Sequence, residues 1–168
     1  DLCIRCEAQL PLTRFYNFPN NEASMLFWGK TQVDTAFSAY HYVKHGVLQD
    51  ALYAVKYNNQ PQVGRYLGRL TGNELKSVNY APEIEALVPV PLHPNKLKAR
   101  GYNQAEEICK GISDATSIPV DTTLVERTVF TKSQTKKGVF ERSINVDNVF
   151  SINRPINYEV IAVVDDVL

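Results

Sequence analysis

The chain has 168 residues, of which 44% are hydrophobic and 21% charged, the size and composition of a soluble globular protein of about one domain. Its 18 basic residues balance its 18 acidic residues, so net charge gives no argument for a polyanionic partner. No apolar run approaches the roughly 20 residues that cross a bilayer, and no signal peptide opens the chain. Three cysteines, an odd number, favour a reducing compartment, so we expect a cytoplasmic protein with no membrane span.

Residues 1–33 differ from the rest because they show neither helical nor strand periodicity, and we expect a small appended lobe there. The spacing of Cys3 and Cys6 fits one edge of a tetrahedral zinc site, which needs four ligands. These two cysteines are therefore predicted as half of a zinc site, with the missing pair expected upstream of Asp1. A redox role is disfavoured, because such a pair opens a helix after a strand. His41 and His45 are weak further ligand candidates.

The next segments alternate between strand and helix signals. Residues 35–43 are rich in β-branched and aromatic side chains, which predicts a strand. Apolar residues at helical spacing predict a helix over 47–57, which Asn58-Asn59-Gln60 then ends. Pro61 suits the first position of a second helix with one apolar face.

The second half has the alternation of strands and helices that is typical of parallel βαβ units. Strands are predicted at 86–90, 124–128, 148–152 and 160–164, and helices at 104–115 and 136–146. We expect the strands 86–90, 124–128 and 160–164 to be adjacent in one parallel sheet. Cys109 lies on the apolar face of the helix 104–115, where a packed core thiol is the default. Ligands of such sheets bind outside the carboxyl ends of the strands.

Asp165 and Asp166 directly follow the apolar strand 160–164. Two adjacent carboxylates at a strand end repel each other and need cationic, amide or hydroxyl partners. One role is to accept hydrogen bonds from the 2′- and 3′-hydroxyls of a ribose; another is to hold Mg²⁺ beside a nucleoside triphosphate. The second role requires a phosphate loop of the Gly-x-x-x-x-Gly-Lys-Ser/Thr type, and the sequence contains none. A solvated turn is the remaining alternative.

Positive charge is concentrated in two windows, 93–104 and 127–142, which hold 8 of the 18 basic residues but only 1 of the 18 acidic residues. The first window is predicted to be a loop that leads into a helix N-terminus, a favourable place for an anion. It supplies the candidate phosphate or pyrophosphate ligands Lys96, Lys98, Arg100, Asn103 and Gln104. A nucleic-acid backbone is the alternative anion, with Tyr102 and Phe140 as stacking faces. His93 is either a phosphate contact or a packing residue.

The chain resembles the ComF family of competence-associated, phosphoribosyltransferase-like proteins. The resemblance spans nearly the whole chain and rests on these strings: Leu2-Cys3-Ile4-Arg5-Cys6; Leu52-Tyr53-Ala54-Val55-Lys56-Tyr57; Val88-Pro89-Val90-Pro91-Leu92-His93-Pro94; Arg100-Gly101-Tyr102-Asn103-Gln104-Ala105; Ser133-Gln134-Thr135 with Glu141-Arg142 and Asn145-Val146; and Val163-Val164-Asp165-Asp166-Val167. Each string alone is unspecific, whereas the Pro-rich strand, the Arg-Gly-Tyr-Asn-Gln string and the two-Asp strand are specific in combination.

The resemblance implies an α/β fold of the type I phosphoribosyltransferase class, with a parallel sheet flanked by helices (34–168) behind a partial zinc-finger-like lobe (1–33). In such a fold Asp165 and Asp166 bind the ribose of phosphoribosyl pyrophosphate, and Mg²⁺ accompanies the pyrophosphate. The phosphate loop that follows the two-Asp motif is expected beyond Leu168. The family association is with DNA uptake and natural transformation; whether catalysis occurs is left open. The alternative is a non-catalytic module that binds single-stranded DNA or a protein of the competence machinery.

Overall fold

The computed structural model describes residues 2–18, 20–77, 84–129 and 149–167. In chain order the helices are α1 (Ile4–Glu7), a 3-10 turn (Phe15–Asn17), α2 (Glu22–Met25), α3 (Val47–Tyr57), α4 (Pro61–Lys76), α5 (Pro94–Arg100) and α6 (Gln104–Thr116). The strands are β1 (Ala86–Pro89), β2 (Val125–Arg127), β3 (Phe150–Ile152) and β4 (Ile161–Val164). None of the helices in these ranges is both long and apolar enough to cross a membrane.

Helix α3 has the bounds that the sequence predicted, and α4 begins at Pro61 as predicted. The break between them lies at Asn58 and Asn59, and Asn59 adopts the left-handed conformation with φ 53°. Pro61 begins α4, where its missing N–H has no intrahelical acceptor to lose. The buried faces of the two helices meet in a core that includes Val55 and Val63. This packing fixes where the C-terminal end of α3 lies.

Helices α4 and α6 approach each other through glycines. A Cβ atom added at Gly68 would lie 2.0 Å from the carbonyl oxygen of Ile108, and one added at Gly111 would lie 1.9 Å from that of Arg65. Real Cβ atoms do not reach such distances, so only glycine permits this contact between the backbones. A two-pronged ion pair between Arg65 and Asp114 joins the same helices, with N–O distances of 2.6 and 2.7 Å.

Strands β1 and β4 form a parallel pair in which Ala86 faces Ile161 and Pro89 faces Val164. β1 is buried on both faces, as its unbroken apolar sequence predicted. β4 packs one face against the α6 side of the core, whereas Val163 on its other face is 65% exposed. Cys109 of α6 is fully buried in this core, as predicted, and burial raises its pKa to about 12.

The predicted strand 124–128 forms, but its placement in the parallel sheet is wrong. Only Val120 bridges β1, in parallel with Leu87. The carboxylate of Asp121 then accepts hydrogen bonds from the N–H groups of Thr123 and Leu124 and turns the chain away. β2 therefore pairs antiparallel with β3, the strand predicted near 148–152, in a second two-stranded sheet. The predicted helix 136–146 lies outside the described residues.

The predicted strand 35–43 is also wrong, because only one residue pair bridges there. Leu12 and Tyr40 form an isolated antiparallel bridge, flanked by hydrogen bonds from Thr13 N–H to Ala39 O and from His41 N–H to Pro11 O. Pro11 has no N–H to return the second bond, so the ladder does not extend. The aromatic content that suggested a strand instead places Tyr40 in the core beside α3 and α4.

The helices described within residues 2–18 and 20–33 are all short, of three or four residues each. Asn21 organises this segment: its side-chain oxygen caps α2, and its amide donates to the carbonyl oxygen of Ala36 at 2.8 Å. Leu10 enters the core formed by α3 and α4, and the hydroxyl of Tyr66 in α4 donates to the carboxylate of Glu7. This N-terminal segment therefore packs on α4 through both apolar and polar contacts.

Substitution of Gly68 by Ala should destabilise the protein by about 2–3 kcal/mol, because the new methyl group meets the Ile108 carbonyl and forces α4 and α6 apart. Gly64→Ala is the matched control on the same helix, since its Cβ would meet side chains no closer than 3.4 Å. That control should be neutral or slightly stabilising, because Ala is a better helix former by about 1 kcal/mol. Denaturant unfolding measures both; equal effects would show that the glycine contact does not set the packing.

Candidate functional site

The two predicted carboxylates lie at the carboxyl edge of the parallel sheet. Asp165 and Asp166 directly follow β4, and the N–H of Val90 at the end of β1 donates to Val164 O at 2.9 Å. The N–H of Asp166 donates to the carboxylate of Asp165 at 2.8 Å, which fixes the turn between them. The pair therefore occupies the edge where ligands of parallel sheets bind.

The two carboxylates have different surroundings. The side chain of Asp166 is only 7% exposed and forms an ion pair with Lys56. Its Oδ1 accepts a hydrogen bond from the amide of Gln104 at 3.2 Å. Asp165 is exposed as a residue, yet withdrawal of its carboxyl group from water and the charge of Asp166 raise its pKa. Asp166 is thus anchored by protein partners, and Asp165 is the more accessible of the two.

Lys56 is a residue of this site that sequence reasoning missed. It is the last residue but one of α3, and the break at Asn58 and Asn59 sets the end of that helix. Its side chain contacts Asp166 across more than a hundred residues of sequence. A signal was available, because Lys56 belongs to one of the strings that carry the family resemblance.

The segment 93–104 is not the loop that the sequence interpretation described. Pro94 begins the helix α5, and Nδ1 of His93 caps it by accepting from the N–H of Asn95 at 3.2 Å. Gly101, with φ +86°, ends the helix in the left-handed conformation. Both signals, a Pro at the start and a Gly at the end, were present in the sequence. His93 therefore has a capping role in this fold.

Asn103 and Gln104 connect this segment to the sheet. The side chain of Asn103 caps α6 through Ala105 N–H at 3.1 Å and donates to Val90 O at 2.9 Å. Gln104 accepts from the guanidinium of Arg100 and donates to Asp166. A continuous series of polar contacts thus runs from Arg100 through Gln104 and Asp166 to Lys56.

An open cavity of about 440 Å³ lies beside this series of contacts. Lys56 lines it from α3, and Lys98 and Arg100 line it from α5, so three cationic residues border one space. Lys96 is not among the lining residues. Partial burial, together with the charges of Arg127 and Arg100, lowers the pKa of Lys96.

The second basic window is described only from Arg127 to Val129. The guanidinium of Arg127 lies 5.4 Å from the ring centre of Phe150. The rest of the window, including Phe140, lies outside the described residues. Tyr102, the other predicted stacking face, is engaged by the fold, because it packs against the core and its hydroxyl donates to Val55 O.

Cys3 and Cys6 lie together at the start of the lobe. Cys3 precedes α1, and the N–H and thiol of Cys6 hydrogen bond to Cys3, which lowers the pKa of Cys3. Donation of the same thiol hydrogen bond raises the pKa of Cys6. Within the described ranges, no three His, Cys, Asp or Glu side chains cluster as metal ligands, and His41 packs edge-on against Phe15.

Together these features define an α/β protein with paired carboxylates at a parallel strand end and a basic cavity beside them. The chain is 31% identical over 134 residues to competence protein F of Haemophilus influenzae, covering 76% of this chain and 58% of the relative. It is 25% identical over 124 residues to the DNA utilization protein YhgH of Escherichia coli strain K12, covering 72% and 55%. The chain therefore belongs to the ComF family, as its motifs predicted. It spans little more than half the length of these relatives, and no family model or solved structure matches it.

Proposed function

We propose that this chain binds a phosphoribosyl compound, such as phosphoribosyl pyrophosphate, in a domain of the type I phosphoribosyltransferase class. The observation that carries the proposal is the pair Asp165 and Asp166 at the carboxyl edge of a parallel sheet, beside a cavity that three cations line. A ribose offers hydroxyl donors to carboxylates, and a diphosphate offers charge to cations. Both halves of such a ligand have matching groups here.

The residues have distinct roles in this proposal. Asp165 and Asp166 accept from the ribose hydroxyls, and Lys98 and Arg100 bind the diphosphate. Gln104 orients Asp166 and Arg100 toward each other. Mg²⁺ would neutralise charge on the diphosphate. It prefers oxygen ligands, and the carboxylate of the exposed residue Asp165 could supply one. In a transfer reaction, the same carboxylates would stabilise positive charge on the sugar and the cations would stabilise the departing diphosphate.

The names of the relatives add a cellular role to the proposal. One is a competence protein and the other a DNA utilization protein. We propose that this chain takes part in DNA uptake during natural transformation, in the cytoplasm. The domain with the ribose site comprises residues 34–168, and residues 1–33 form the partial zinc-finger-like lobe.

A thermal shift experiment tests the ribose site. Phosphoribosyl pyrophosphate with Mg²⁺ should stabilise the longest natural polypeptide that contains these residues, by about 2.7 kcal/mol at a hundredfold excess over Kd. The double variant Asp165→Asn, Asp166→Asn should lose this gain, because the amides no longer accept as carboxylates do. Asp34→Asn, which alters an exposed carboxylate outside the cavity, is the matched control that should keep it. Absence of any shift in the unaltered protein would remove the proposal.

A second candidate function, binding of single-stranded DNA, is favoured by an aromatic pair that the sequence interpretation did not select. Tyr53 and Tyr57 lie on α3 with ring centres 4.8 Å apart, and they are 57% and 61% exposed. Tyr57 also lines the cavity with the three cations. Stacking faces next to positive charge are the elements by which proteins bind unpaired strands.

Replacement of both tyrosines by Ala should weaken binding of an oligothymidine at least about fivefold, since each stacked base contributes about 1–3 kcal/mol. Fluorescence anisotropy measures the affinity, and its decrease with rising salt counts the phosphate contacts. Tyr42→Ala removes an equally exposed tyrosine outside the cavity and should have no effect. Binding that is unchanged in the double variant, or independent of salt, would exclude this role for the surface.

Zinc binding by the lobe is a further proposal, supported by the hydrogen-bonded thiols of Cys3 and Cys6. The longest natural polypeptide should contain about one tightly bound zinc ion per chain, held by four ligands. The double variant Cys3→Ser, Cys6→Ser should lose it, whereas Cys109→Ala, which alters a buried core thiol, should retain it. Metal analysis that finds no zinc, or equal zinc in both variants, would contradict the proposal.

A further inference from the structure

In this structure both oxygens of the anchored carboxylate already have protein partners. Oδ2 of Asp166 contacts the ammonium group of Lys56, and Oδ1 accepts from Gln104. The side chain of Asp166 is 7% exposed and that of Lys56 is 26% exposed, so water screens their attraction poorly. A ribose hydroxyl that bonds to Oδ2 must therefore displace Lys56.

Displacement of Lys56 alone is unfavourable. Separation of a shielded ion pair leaves each charge without its counter-ion, in a place where water solvates it only in part. The cost is removed if Lys56 has another anion to contact. Lys56 also lines the cavity that Lys98 and Arg100 line, so an anion bound there lies within reach of its flexible stem.

We propose that Lys56 couples the two halves of the ligand site: it holds Asp166 in the absence of ligand and transfers to the diphosphate when the ribose occupies Asp166. The inference rests on the proposed function. The free-energy cost of breaking the Lys56–Asp166 contact is the same whether one half of the ligand binds or both halves bind. Each half therefore makes the other half easier to bind, which is positive coupling in the thermodynamic sense.

The coupling selects ligands by their chemistry. A compound that carries only a vicinal diol, or only a diphosphate, has to break the Lys56–Asp166 contact and leaves one charge unpaired. A compound that carries both groups satisfies both charges. The site thereby discriminates against free pyrophosphate and simple sugars, and it favours a diphosphorylated ribose.

Calorimetric titration measures this coupling directly, with Mg²⁺ present throughout, in the longest natural polypeptide that contains these residues. The probes are ribose 5-phosphate, which carries the diol, and inorganic pyrophosphate, which carries the anion. In the unaltered protein, saturating pyrophosphate should tighten ribose 5-phosphate binding at least about fivefold, within the usual range of coupling between sites. 2-Deoxyribose 5-phosphate lacks one hydroxyl and should show less coupling.

Variants separate coupling from simple anion binding. Lys56→Met keeps the apolar stem but removes the charge, and it should abolish the coupling. Lys98 lines the same cavity but does not contact Asp166. Lys98→Met should therefore weaken pyrophosphate binding but preserve the coupling. Lys56→Arg should preserve it too, and this variant guards against loss of fold in Lys56→Met.

Three results would overturn the inference. If the unaltered protein binds both probes independently, Lys56 does not couple them, although the proposed function stands. If Lys56→Met keeps the coupling, another residue is responsible. If phosphoribosyl pyrophosphate itself fails to bind the unaltered protein, the proposed function fails and the inference fails with it.

Discussion

The contact between the backbones of α4 and α6 is the constraint on which the site depends. Gly68 and Gly111 let the two helices touch with no side chain between them. α4 follows α3 after a short break, and Lys56 lies one residue before the end of α3; α6 begins with Gln104. The distance between the two helices therefore sets the distance between the cation and the amide that share Asp166. A small displacement of either helix would move one partner away from that carboxylate.

Local signals in the sequence were sufficient where residues close to each other in the chain decide the structure. The bounds of α3 and the start of α4 followed from apolar spacing, the Asn-Asn break and Pro61, and β1 followed from its unbroken apolar run. The carboxylate pair at the strand end followed from the position of Asp165 and Asp166 after β4. These features depend on backbone preferences and on burial, which sequence patterns report directly.

The remaining features depend on residues that lie outside the predicted element. Pro11 prevents a ladder at Tyr40, and Asp121 turns the chain before β2, so neither outcome is visible within the predicted strand itself. Lys56 was missed because its partner, Asp166, lies at the other end of the sequence. The helix α5 was missed for another reason. Its three cations are also typical of a basic loop, although Pro94 at its start and Gly101 after its end are ordinary helix signals.

The glycines of α4 also bear on the order in which the protein folds during synthesis. Gly64, Gly68 and Gly72 each weaken an isolated helix by about 1 kcal/mol relative to Ala. α4 alone is therefore a poor helix; α3 covers one side of it, and its glycine face gains a partner only when α6 packs there. Since α6 ends at Thr116, the ribosome must release about forty further residues before α4 has its partner. During synthesis the glycine face of α4 thus stays exposed until a helix that is made later packs against it.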